Sequence, residues 1–186
     1  MVTIKGYEIP NLPSELTVEQ FDKINAITKN NLLDNIEKEM EKLIYLGVPS
    51  EVFEDMDSLE EFTNIVREFT DIPPVSKERV FKVEIEGREY VASERPSVKD
   101  IGLIEKAWKT NTDNFSAEML AILFKRSDLS RVEHYAPAHI KHKTKIFKQQ
   151  KAELAMPHVY ELLSIITKST KKIADDTTKE LEGNNG

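Results

Sequence analysis

Cysteine is absent from the 186 residues, which excludes disulfides and thiolate metal sites. That absence fits a reducing compartment. Glycine occurs only six times, and neither Gly-x-x-x-x-Gly-Lys nor Gly-x-Gly-x-x-Gly is found. A backbone cradle for phosphate is therefore not expected. No serine stands in Gly-x-Ser-x-Gly, the strained elbow of many hydrolases. No apolar run approaches the roughly 20 residues that span a bilayer. Met1 to Pro13 lack the basic start and apolar stretch of a signal peptide. The chain is expected to remain in the compartment where it is made, with no membrane partner.

Charge is plentiful, at 32% of residues, and gives a net −7. That balance argues against indiscriminate binding to nucleic acid or anionic lipid. The sum hides an asymmetry. Between Asp34 and Phe69 eleven acids face three bases, Lys38, Lys42 and Arg67. Between Lys125 and Lys151, lysine and arginine far outnumber the two acids, Asp128 and Glu133. Such runs are ordinarily two solvated faces of opposite sign; the sharper reading is two partner-binding faces.

Apolar spacing predicts a mainly α fold, one multi-helix domain with a small antiparallel β-hairpin. Thr3 to Ile9 reads as a short strand ended by Pro10 and Pro13. Thr17 and Gln20 have capping-box spacing, so a helix should run from Val18 to Thr28. Leu33, Ile36, Met40, Leu43 and Ile44 form one stripe of a second helix, which Gly47 and Pro49 end. Ser50 to Met56 offer a further turn. Asp57 or Ser58 caps a third helix, whose apolar face is Leu59, Phe62, Ile65, Val66 and Phe69. The prolines of Ile72 to Val75 form the best internal boundary. It separates an acidic helical part, 1–72, from a hairpin plus helices, 73–175, packed with the first as one compact domain. Residues 176–186 read as a disordered tail.

After the boundary the period changes to two. Phe81, Val83 and Ile85 lie on one side of a strand, Glu86-Gly87 allows a turn, and Arg88 to Ala92 return. This hairpin needs helices or the Thr3 to Ile9 strand to pack on. Ser97 and Asp100 offer a cap for a helix over Val98 to Lys109. Ala117 to Phe124 are apolar nearly all round and belong at the centre of the core, with Lys125 and Arg126 at that helix's C-terminal end. Ser127 to Pro137 read as irregular. Ala138 to Ala155 read as one basic helix with Ile140, Ile146 and Phe147 toward the core. Pro157 starts a last helix that buries Val159, Tyr160, Leu162, Leu163 and Ile166.

The chemistry-bearing residues do not converge. His139 and His142 share a helix face, but two ligands among lysines do not make a zinc site; no metal or cofactor is expected. The carboxylates lie on polar helix faces, where solvation explains them, and no catalytic set emerges. The candidates for partner binding are Lys141, Lys145 and Lys148 on the basic helix, with the aromatics Tyr135 and Trp108. For Trp108 the plainer reading is that it closes one end of the core. A lysine row without arginine would contact phosphates without sequence preference, so a nucleic-acid partner is the weaker alternative.

One resemblance adds to this reading. The opening Ile9-Pro10-Asn11-Leu12-Pro13-Ser14-Glu15-Leu16-Thr17-Val18-Glu19-Gln20-Phe21 is followed by Glu84-Ile85-Glu86-Gly87-Arg88-Glu89-Tyr90 and the apolar Glu118-Met119-Leu120-Ala121-Ile122-Leu123-Phe124. With the basic and final apolar helices, this order of segments resembles tail assembly chaperones and related virion assembly factors of tailed bacteriophages. The resemblance covers most of the chain as a pattern, without a diagnostic residue. It implies a non-enzymatic protein in the host bacterial cytoplasm, or in the virion as a minor structural component. Its partner would be a phage tail component such as the tape measure protein.

Overall fold

In the computed structural model, residues 1–54, 56, 58–70, 78–110, 112–162 and 164 are described. The chain opens on a hairpin, β1 (Val2–Ile4) and β2 (Tyr7–Ile9), with Thr3 opposite Glu8. The single strand expected over Thr3 to Ile9 is thus divided by Lys5-Gly6. Both turn residues have positive φ, 49° and 90°, as a tight two-residue hairpin loop requires.

Helix α1 (Val18–Lys29) starts where the sequence places it. Thr17 and Gln20 form both halves of the capping box. Helix α2 (Asn35–Tyr45) starts on a second box, Asp34 with Glu37, which the apolar spacing alone does not reveal. Gly47 takes φ 112° just past its end. A single turn, α3 (Glu51–Glu54), precedes α4 (Leu59–Thr70). The Ser58 hydroxyl accepts the Glu61 N–H at the start of α4.

The second hairpin joins β3 (Lys82–Ile85) to β4 (Arg88–Ala92) through Glu86 and Gly87, both with positive φ. It does not pair with β1 or β2. Its third strand is β5 (Phe124–Arg126), with Ala92 opposite Phe124. Lys125 and Arg126 therefore lie on a strand, not in the last turn of a helix. The chain turns from helical to extended at Phe124, whose φ and ψ are −85° and 119°.

Helix α5 (Val98–Thr110) leads through one 3-10 turn into α6 (Phe115–Leu123). Every residue of α6 but Glu118 is buried, which makes it the centre of the larger core. The stretch read as irregular holds a further capped turn, α7 (Arg131–His134), where Ser130 and Glu133 form a capping box. The expected long basic helix is two. Helix α8 (Pro137–Lys148) stops at Gln149, and α9 covers residues 152–162. The joint between them pairs with the start of α1. Val18 donates to the Gln150 carbonyl at 2.8 Å, and Ala152 donates to the Leu16 carbonyl at 2.9 Å. Once the backbone is committed to that bridge it cannot continue the helical ladder. Pro157 consequently lies inside α9 instead of starting it.

Two hydrophobic clusters share α1 and α9. The larger gathers Val18, Ile85, Tyr90, α6, Phe124, Phe147, Val159 and Leu162. The Phe147 ring lies 5.7 Å from Tyr90 and 5.4 Å from Phe124. The smaller gathers Ile4, Ile9, Leu16, Leu43, Leu46, Phe53, Phe62 and Ile65 with Ala152 and Met156 of α9. Two expected core positions of α2, Ile36 and Ile44, are instead exposed, as is Tyr160 of α9. Leu163, Ile166, the proline boundary at 72–75 and the tail lie outside the described residues.

Candidate functional site

Helix α8 has two unlike faces. Phe147 and Lys143 turn inward and are fully buried. Pro137, Ile140, Lys141, Thr144, Lys145 and Lys148 recur at three- and four-residue spacing, so they fall on one side along the whole helix. That side forms one wall of a groove of about 500 Å³. The opposite wall is Leu103, Lys106 and Thr110 of α5, and the floor is Glu118 and Ile122 of α6. Tyr135 closes one end. Leu103, Ile122 and Ile140 make the apolar part, with Lys106, Lys141, Lys145 and Lys148 around it. Lys148 reaches Glu19 of α1 at 3.0 Å. Lys106, Lys141 and Lys145 have no ion-pair partner among the described residues.

The Tyr135 end is braced from beneath. Asp100, buried at the start of α5, accepts the Tyr135 hydroxyl at 2.9 Å and Lys125 Nζ at 2.9 Å. It also accepts the Ser97 N–H at 2.9 Å and the Ser97 hydroxyl at 2.8 Å. Burial opposes charge on this carboxyl, yet the bonds from Lys125, Ser97 and Tyr135 prevail and hold its pKa below the ordinary value. Lys99 lies 4.1 Å from the Tyr135 ring centre and Lys125 5.2 Å, a cation–π arrangement on a half-buried ring. The sequence exposes only the Ser97–Asp100 spacing. Lys125 and Tyr135 are 25 and 35 residues away from Asp100, beyond the reach of any local pattern.

Behind α8 lies a second polar group. Lys143 donates to the Phe124 carbonyl at 2.9 Å with none of its surface exposed. Burial, aided by Lys125 and Arg126, lowers its pKa to about 8. Burial, and after it the neighbouring Lys143, lowers the pKa of both His134 and His139 from the ordinary imidazole value, which favours their neutral forms. Their nitrogens Nδ1 of His134 and Nε2 of His139 are buried without a hydrogen-bond partner. His158 lies apart, between the Phe81 and Phe124 rings, and its Nε2 donates to the Val80 carbonyl at 2.9 Å.

Asp22 performs a third task. Asn114 gives α6 no side-chain cap, and the buried Asp22 of α1 supplies one across the core. It accepts the N–H groups of Ser116 at 3.0 Å and Ala117 at 3.2 Å. Burial outweighs these bonds and raises its pKa to about 6.

Of the five residues nominated from the sequence, Tyr135, Lys141, Lys145 and Lys148 line the groove. Trp108 does not: its ring packs edge-on against Phe115 at 4.7 Å, with Lys29 Nζ 4.3 Å from its centre. Among the groove residues that the sequence does not mark as binding are Lys106 of α5, Glu118 and the apolar Leu103 and Ile122, the last two showing only helical core spacing. Among the described residues no three His, Asp or Glu side chains are placed to hold a metal ion. Asp100, the carboxylate nearest the groove's aromatic end, has both oxygens engaged. The arrangement suits contact with an elongated, partly apolar, negatively charged ligand. Among the described residues no helix is long and apolar enough to cross a membrane. Comparison of the chain with family models, curated proteins and solved structures finds no match.

Proposed function

We propose that this protein is a non-enzymatic binding factor of virion assembly. Its groove between α5, α6 and α8 holds an acidic, amphipathic segment of a tail component such as the tape measure protein. The observation that carries this reading is the groove itself: an apolar strip bounded by four lysines against the single carboxylate Glu118, set on packed helices and closed by a braced tyrosine. Amphipathic helices laid in apolar grooves are a common mode of recognition, and charge at the rim sets which helix fits. The order of segments that resembles tail assembly chaperones supports the same reading, and a location in the host cytoplasm or the virion is part of the proposal.

The nucleic-acid alternative has less support. Lys143 is buried, Lys148 pairs with Glu19, and Lys151 lies 3.3 Å from the Glu15 carbonyl. The lysine row available to phosphates is thus shorter than the sequence suggests.

The test is co-expression with each tail protein encoded beside this gene, followed by capture on a tag. Wild type should retain one such partner. Lys141→Glu/Lys145→Glu should lose it by about tenfold or more, as expected for reversed charge at a complementary interface. Equal retention by both proteins, or retention of no tail protein, would overturn the reading.

A further inference from the structure

The molecule carries on its acidic side the kind of segment that its basic groove fits. Among the large hydrophobics left exposed, Leu32, Ile36, Ile44 and Tyr45 all belong to α2 or the turn before it. Ile36 and Ile44 are eight residues apart and share a helix face with partly buried Met40 between them. Glu37 and Glu41 flank that stripe one position on, and both are exposed. A lone exposed isoleucine needs no explanation, but an apolar stripe with acids beside it is an amphipathic face without a cover. The lengths agree as well: α2 has 11 residues and α8 has 12, about 16 and 18 Å at the helical rise.

We infer that α2 of one copy docks in the α5–α6–α8 groove of a second copy. Ile36 and Ile44 meet Leu103, Ile122 and Ile140, and Glu37 and Glu41 meet Lys141 and Lys145. The inference rests on the groove being a receptor for acidic amphipathic helices, and names this chain as one source of such a helix. The two surfaces are different patches, so each contact is head-to-tail and leaves one free groove and one free α2 at the ends of an assembly. A tail component that fits the same groove would then compete with self-association.

Sedimentation velocity of the full chain across concentration tests this. Wild type should rise above the 21.4 kDa monomer mass as concentration increases. Two variants should each weaken association about tenfold. One is Lys141→Glu/Lys145→Glu in the groove. The other is Glu37→Gln/Glu41→Lys on α2, where glutamine preserves the capping box. Mixing the two variants should restore association, because the acidic α2 of the first fits the basic groove of the second. Far-ultraviolet circular dichroism of each variant confirms that it folds. A wild type that stays monomeric up to about 1 mM would overturn the inference and leave the groove to other acidic helices. So would association that neither variant weakens or that mixing does not restore. If self-association behaves as expected while capture of the tail component ignores the groove variant, the inference stands and the proposed function falls.

Discussion

Around α6 the core encloses Asp22, Asp100, His134, Lys143 and His158, whereas the cluster around Leu43 encloses, among the described residues, only Lys42 as a buried charge. The first region spends hydrogen bonds on fixing directions. Asp22 ties α1 to the start of α6, Asp100 ties α5 to Tyr135 and β5, and Lys143 ties α8 to Phe124. These bonds hold the floor, the aromatic end and the α8 wall of the groove in turn. The second region relies on amphipathic helices and leaves one face of α2 bare. The difference teaches where shape is specified: the groove is built rigid, and the acidic helix is merely presented.

The comparison can be broken most directly at the two apolar centres. Phe147→Ala should cost about 3–5 kcal/mol and Leu43→Ala about 2–5 kcal/mol in urea denaturation. Because α1 and α9 feed both clusters, each variant should still unfold in a single transition. Two separated transitions would show that the clusters are independent.

The buried carboxylates sharpen the contrast on a smaller scale, through pH. Asp22 has a folded pKa of about 6 against 3.8 for the free side chain. A raised carboxyl favours the protonated folded state, so its contribution is fully present below 3.8 and is lost as pH rises through 6. Asp22→Asn should remove that decline, on the order of 2 kcal/mol between pH 4 and 7. Asp100 acts in the opposite sense: its lowered pKa contributes stability above 3.8 that is lost as pH falls through the folded value. A wild type and an Asp22→Asn variant with the same pH dependence of urea midpoint would contradict the assignment for Asp22.

The smallest effect belongs to the presented face. Ile36→Ser removes an exposed side chain and should change stability by no more than about 0.5 kcal/mol in the same assay. A loss of 2 kcal/mol or more would mean that Ile36 is covered within the monomer.

Much of this fold is legible in the sequence, because its helices announce themselves locally. Thr17 with Gln20, Gly47 and the Glu86-Gly87 turn act within a few residues, and the structure uses all of them. The apolar run 117–124 is central for the same reason: no polar face remains to meet water. What escaped depends on partners far along the chain. Phe124 to Arg126 follow a helix and carry two charges, yet β4 offers them an edge. The basic helix breaks at Gln149 because Leu16 and Val18 claim its backbone groups. Ile36 and Ile44 have the spacing of core residues, and periodicity gives the stripe without saying how much of it a neighbour covers. The site was legible by half. Lysine spacing on α8 marked one wall, whereas Lys106 and the Asp100 brace depend on how α5 crosses α6.

The joint between α8 and α9 has a consequence for the order in which the chain comes into being. Leu16 and Val18 wait for partners at 150 and 152, and the smaller cluster is filled by Ala152 and Met156. During synthesis from the N-terminus, the first hairpin and α2 leave the ribosome long before those residues exist. The acidic segment therefore emerges with its greasy centre unfilled, and it closes only after residues 150 to 156 have been made.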